Sequence, residues 1–349
     1  MGTMEPARTF LRKRVVVLGV GLLFLLLSTD AQEAKVRYSV EGEFTPPATG
    51  SVGLSGATTP FHKSTLSSTS GRFRLKDIEE GTYTLSVFVP GRGEVRQTLV
   101  VSPSTADSRR RIHVEVAMED IRLDREGVAN VSVRSLAVPE KAQREYQEAN
   151  KRLEQRDVAG AEQRLLRAVE LAPHYGEAWN FLGTLAYQTQ RYPLAEERFR
   201  KALDIDDTLY APLVNLGGVL LNLGKAKEAL PYNQHAILRR PGDALAHSQL
   251  GMTHFALNQL PQAEKHLREA IRLDPAHFSH PQIFLAEVLL RDGRIPEALT
   301  VLEGFLEQYP DHPIAADLRK RIDAARATAS PSTASPSTVP PSTVPPSGP

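Results

Sequence analysis

Trp179-Asn180-Phe181-Leu182-Gly183, followed by Ala195, Phe199 and Ala202, is one copy of a pattern that recurs through residues 142–310. Ala161, Ala195, Ala229, Ala263 and Ala298 stand 34, 34, 34 and 35 residues apart. Seven positions beyond each come Ala168, Ala202, Ala236, Ala270 and Phe305, and five further on Pro173, Asp207, Pro241, Pro275 and Pro310. Leu182-Gly183, Leu216-Gly217, Leu250-Gly251 and Leu285-Ala286 correspond at the other end of the unit. Self-similarity at this period marks stacked supersecondary units. Small residues let two antiparallel helices approach closely, while Leu and aromatic residues fill the space between them. Proline ends the second helix because it lacks an N–H and disfavours helix in the residue before it.

This pattern resembles the tetratricopeptide repeat, with Trp179 to Ala202 as the best copy. Departures are local: Asp207 replaces Pro, Asn233 stands where Leu or an aromatic is usual, and His247 takes the place of Trp. The first copy, with Glu145 and Glu148, is the weakest, and one extra residue falls near Phe278. Such units cannot bury their apolar faces alone, so five of them are expected to stack into a solenoid closed by a helix over residues 311–327. The resemblance implies that the first helix of each unit lines a concave groove. Carried onto this sequence, that lining contains Tyr146, Asn150, Asn180, Tyr187, Val214, Leu221, Leu245, Met252, Phe255 and Ile283. The lysines of a carboxylate clamp are missing at the matching offsets. The groove therefore reads as neutral with an apolar centre, suited to an extended or helical apolar segment of another protein.

Residues 34–119 read differently. Val36–Val40, Phe73–Leu75, Tyr83–Val89, Val95–Val101 and Ile112–Val116 alternate apolar and polar residues, with Gly71, Gly81, Pro90, Gly91 and Gly93 between them. Period-two alternation at this spacing predicts a β-sandwich. The stretch from Gly71 through Phe73, Leu75, Ile78, Gly81 and Tyr83 to Leu85 resembles a segment of carboxypeptidase-regulatory-like, prealbumin-type domains. Phe73, Leu75 and Ile78 are expected to face inward, with Gly81 turning the chain so that Tyr83 and Leu85 return to the same core. That resemblance implies an accessory module without a peptidase site. The expected fold is thus multidomain: an all-β sandwich, a linker over 120–141, an all-α tetratricopeptide solenoid, and a tail over 328–349. The tail holds 7 of the 25 prolines in Pro-Ser-Thr repeats and is expected to be extended and disordered.

At the other end, Arg8, Arg12, Lys13 and Arg14 precede an apolar run from Val15 to Leu27, then Ser28-Thr29-Asp30-Ala31. That is the order of a Sec-type signal peptide over residues 1–31, with Thr29 and Ala31 in the −3 and −1 places. The run of 13 residues, at about 1.5 Å each, falls short of the roughly 30 Å hydrocarbon core. Cleavage would remove four basic and two acidic residues, moving the formal charge from +1 to −1. The chain of 349 residues, with 42 Lys+Arg against 41 Asp+Glu, offers no general attraction to nucleic acid. It has no cysteine, which excludes disulfides, thiol nucleophiles, Cys-ligated metals and lipidation at cysteine.

Catalytic, cofactor and metal sites are not expected. The sequence contains no phosphate-binding G-x-x-x-x-G-K-[ST], no H-E-x-x-H and no G-x-S-x-G. His277, His280 and His312 read as unpaired surface histidines, His247 and His254 as core histidines, and Asp204, Asp206 and Asp207 as a solvated loop. Asn130-Val131-Ser132 fits a glycosylation sequon. The expectation is an exported, non-enzymatic scaffold that binds a partner protein or peptide through the solenoid groove. The two-module order resembles bacterial envelope proteins, which makes the periplasm the expected compartment; secretion, or anchoring by an uncleaved N-terminus, is the alternative. The competing function is surface or carbohydrate attachment through the sandwich, with the solenoid as spacer.

Overall fold

The computed structural model describes residues 36–117, 138–310 and 312–329. The signal segment, Asn130, most of the linker and nearly all of the tail lie outside the described residues.

Seven strands form the first module: β1 (Tyr38–Thr45), β2 (Ser51–Gly56), β3 (His62–Leu66), β4 (Phe73–Ile78), β5 (Gly81–Val89), β6 (Gly93–Val101) and β7 (Arg111–Ala117). They make two sheets, ordered β4-β1-β7 and β3-β2-β5-β6. Inward residues of both, among them Val40, Phe44, Val52, Leu54, Leu85 and Val87, share one core. Phe73, Leu75, Ile78, Tyr83 and Leu85 point into it as expected, and Gly81 takes a φ of +154° at the turn. β2 and β3 escape a sequence reading. In β2, Val52 and Leu54 are the only large apolar residues, set among Ser and Gly, and β3 buries no residue at all, so neither stands out in the sequence.

The solenoid follows as α1 (Glu140–Glu154), α2 (Val158–Leu171), α3 (Gly176–Gln188), α4 (Tyr192–Ile205), α5 (Tyr210–Asn222), α6 (Ala226–Arg239), α7 (Ala244–Ala256), α8 (Leu260–Leu273), α9 (Pro281–Arg291) and α10 (Ile295–Gln308), with α11 (Ala315–Ala329) closing the array. All five alanines of the 161–298 series are fully buried. A Cβ added to Gly183 would come 2.6 Å from the Phe199 ring, and one on Gly251 would come 2.7 Å from Leu267, so these glycines permit the close helix approach. Inside each unit the turn between helices passes through left-handed backbone at Arg156, Gln190, Gly224, Asn258 or Gly293. The extra residue of the fifth unit is taken up in the loop before α9, where His280 is also left-handed at a φ of 48°.

Successive units are tied by a ladder of ion pairs. Glu162 meets Arg191 of the next unit at 2.9 Å, Glu196 meets Lys225 at 2.8 Å, and Glu264 meets Arg294 at 2.7 Å. Between the third and fourth units the corresponding residues are Leu230 and Gln259, so this rung is missing. The same region is polar inside. Asn233 on α6 is fully buried where other units place Leu165, Phe199, Leu267 or Leu302. Its Nδ2 donates to Thr253 Oγ1 at 2.9 Å, while its Oδ1 has no partner.

An Asn233→Leu substitution should therefore stabilise the chain by about 1–2 kcal/mol, because it removes an unsatisfied buried carbonyl and restores the apolar packing of the other units. Thr253 remains bonded through its hydroxyl, which donates to the Gln249 carbonyl at 2.8 Å. Thermal unfolding of the two proteins checks this, a rise of a few degrees in Tm being expected.

Candidate functional site

The sandwich lies against the first helices of the solenoid, the face expected from the sequence to form the groove. Strand β3 packs on α1. His62, at the start of β3, stacks edge-on against Phe181 of α3 with ring centroids 6.5 Å apart. Gln188, at the end of α3, donates from Nε2 to the carbonyl of Gly56 at 2.8 Å. Every other solenoid group in these contacts sits in a loop bordering a first helix or at such a helix's first residue.

Three clusters hold the modules together. At one end, Arg156 pairs with Glu79 at 3.0 Å and lies 5.1 Å from the Phe61 ring centroid. Arg156 occupies the left-handed turn position that Gly fills in two other units, so the contact is made at some backbone strain. In the middle, Glu94 of β6 pairs with Arg240 at 2.9 Å, and that guanidinium covers the Tyr210 ring at 4.1 Å. Glu94 also holds Arg96 at 2.7 Å, and Asp243 adds its field to the same guanidinium. Burial pushes the Glu94 carboxyl up, but Arg96 and Arg240 together bring it below the usual carboxylate range. At the far end, Thr98 donates its N–H to Asp274 Oδ2 at 3.0 Å, and Phe278 N–H reaches Thr98 Oγ1 at 3.3 Å. The sandwich thus runs from the end of α1 to the loop before α9.

The expected groove residues divide into four groups. Tyr146 packs on Tyr175 and Phe181, next to the His62 contact. Asn180 and Tyr187 serve their neighbouring helix, Asn180 Oδ1 accepting from Asn215 at 3.3 Å and the Tyr187 hydroxyl accepting from Asn222 at 3.1 Å. Asn150, Leu221, Leu245, Met252 and Ile283 are half-buried. Val214 and Phe255 are corrections to the sequence reading. Val214 is 1% exposed and packs with Tyr210, Leu213 and Ala246. Phe255 is 7% exposed, with Arg291 at 4.1 Å from its ring centroid and Phe284 edge-on beside it. The apolar centre is consequently smaller than the sequence implies.

The histidines differ too. His277 is buried, and His280 and His312 meet with ring centroids 4.8 Å apart beside Phe305 and Tyr309, so they are not unpaired surface groups. His247 and His254 are buried as expected, but His266 of α8 joins them, a residue that nothing in its local sequence singles out. Asp206 is also buried, accepting from the N–H and hydroxyl of Thr208. Among the described residues no cluster of His, Asp or Glu is arranged to hold a metal, and no helix is long and apolar enough to cross a membrane.

Tetratricopeptide-repeat family models match residues 146–209, 214–278 and 254–322. The helical part of the chain is therefore a tetratricopeptide solenoid, a kind of module that typically binds other proteins rather than catalysing a reaction. The chain is 32% identical over 139 residues to subunit 7 of the anaphase-promoting complex from Arabidopsis thaliana. That alignment covers 39% of the chain but only 24% of the relative. Among solved structures, YrrB, described as a tetratricopeptide protein with an unusual peptide-binding site, is 25% identical, with a TM-score of 0.45 over 54% of this chain and 98% of that one. PilW, a type IV pilus biogenesis factor, is 20% identical, with a TM-score of 0.49 over 55% of this chain and 88% of its own.

A double-mutant cycle on Glu94→Gln and Arg240→Gln, read by urea unfolding, should give a coupling energy of roughly 0.5–1 kcal/mol. A value near zero would mean that the ion pair does not help hold the modules together.

Proposed function

We propose that the chain is an exported, non-enzymatic scaffold whose solenoid receives a partner protein on the face that its own sandwich covers. The carrying observation is the docking itself: Glu79–Arg156, Glu94–Arg240 and Thr98–Asp274 stretch the sandwich along the face that a tetratricopeptide array uses for binding. A partner segment taken into the groove competes with the sandwich, so the free protein is the closed form. The half-buried apolar residues Leu221, Leu245, Met252 and Ile283 suit an apolar segment of that partner. The basic, apolar and small-residue order of residues 1–31 supports export, with the periplasm as the compartment. The sandwich, with its likeness to carboxypeptidase-regulatory-like modules, serves as the cover.

Carbohydrate attachment through the sandwich is disfavoured by one observation. Tyr38 and Tyr83, its only tyrosines, are 5% and 2% exposed and offer no stacking platform to a sugar.

The absence of native cysteine allows a direct test. A Thr98→Cys/Phe278→Cys variant carries its only thiols across the interface, where the Phe278 N–H already reaches the Thr98 side chain. Oxidation should lock the sandwich in place and lower recovery of cross-linked partners from the envelope fraction by about tenfold or more, with reduction restoring it. Equal recovery from the locked and reduced forms would exclude the covered face as the binding surface.

A further inference from the structure

Three histidines meet inside the fourth repeat. His247 and His254 lie on α7 and His266 on α8. His247 Nδ1 is 3.1 Å from His266 Nδ1, and the His254 ring stacks on His266 with centroids 5.7 Å apart. Their protonation is fixed by the partners at hand. His247 Nε2 lies 3.0 Å from the Pro241 carbonyl, which can only accept, so Nε2 carries the hydrogen. In the neutral ring Nδ1 is then a lone pair, and His266 Nδ1–H must donate to it. His254 Nδ1 bonds the Gln259 side-chain oxygen at 2.6 Å and is a donor by the same logic.

The two facing nitrogens can share only one hydrogen, so a second proton sets N–H against N–H at 3.1 Å between two adjacent charged rings. A proton added to His266 charges a ring stacked between two other imidazoles. The groups around the cluster do not all oppose charging: Asp243 and Glu269 favour it, while Arg272 and Lys265 resist it. Burial outweighs these fields, holding His247 below its ordinary value and pushing His266 down to about 4.

The same repeat is the one with the missing rung, since Gln259, in the basic position, bonds His254 instead of a carboxylate. Its neighbour contributes the buried Asn233 with an unpartnered oxygen. Both ends of the repeat also face the sandwich, through Asp243 before α7 and Asp274 after α8. His277, just beyond Asp274, is buried and held neutral by burial against the pull of Asp274 and Asp243.

We propose that the fourth repeat is an acid-sensitive joint of the solenoid: protonation of the facing His247 and His266 rings parts α7 from α8 and frees that end of the sandwich. The inference concerns how the fold responds to its medium and does not depend on the identity of a partner. The sign follows from linkage. A ring whose value is lower when packed than when free stabilises the packed state fully above about 6.5, and this contribution is lost as pH falls toward about 4. For His266, a drop from pH 7.5 to 5.0 should raise the open fraction roughly 10- to 30-fold.

Hydrogen exchange of the full chain at pH 7.5 and 5.0, corrected for intrinsic chemistry, tests the joint. The expected result is exchange roughly 10- to 30-fold faster across residues 244–273 at pH 5.0, with residues 140–205 unchanged. A His247→Gln/His266→Gln variant should keep the pH 7.5 pattern and lose the acid response. Unchanged protection of 244–273 at pH 5.0, or an acid response that persists in the variant, would overturn the proposal. Should the variant fail to fold, NMR titration of the wild-type histidine rings decides. Two rings titrating well below 6.5, in step with the exchange change, support the joint, and rings that all titrate near 6.5 refute it.

Discussion

Close approach of paired helices is the constraint on which this molecule rests. Each helix pair closes because a small residue on the first helix leaves room for a large one on the second, as Gly183 does for Phe199 and Gly251 for Leu267. The buried alanines repeat the arrangement from unit to unit and set the spacing of the first helices. That spacing forms the face on which the sandwich rests. Where the rule is relaxed, with Asn233 opposite Gly217, the interior turns polar and leaves an oxygen without a partner.

The second layer of organisation is electrostatic. Glu162, Glu196 and Glu264 reach forward to the next unit; Glu162 also takes Arg198 of that unit at 2.9 Å, while Glu196 and Glu264 each hold an arginine of their own helix, Arg200 and Arg268, at 2.8 Å. Individually such part-exposed pairs contribute little, but repetition at one position gives the stack a preferred register. The ladder is interrupted at the fourth unit, where imidazoles and amides take over. The array is therefore not uniform along its length, even though its period is.

The solenoid was legible because its alanines, prolines and Leu-Gly pairs record one spacing over more than a hundred residues. The clearest strands were legible for a similar reason, a period-two alternation ending at glycine. Strand β3 was not, because it buries nothing and so carries no period. The docking of the two modules left no trace in the sequence. Thr98 and Asp274 are polar residues of ordinary surface type, 176 positions apart, and no local pattern predicts their meeting. The candidate groove was legible only as helix positions. Whether a side chain on that face is open or covered depends on its neighbours, as Arg291 covering Phe255 and the close packing around Val214 show.

The cover is covalently joined to the face it covers, with Ala117 and Val138 as the nearest described residues on either side of the connection. On the function proposed above, competition for the groove is between an intramolecular occupant and an external one. A tethered occupant acts at an effective concentration that reaches millimolar for short flexible connections. A partner present at micromolar levels would need an intrinsic advantage on the order of a thousandfold to displace it, or more than one point of attachment. Selectivity in such a scaffold arises from the height of that threshold as much as from the shape of the groove.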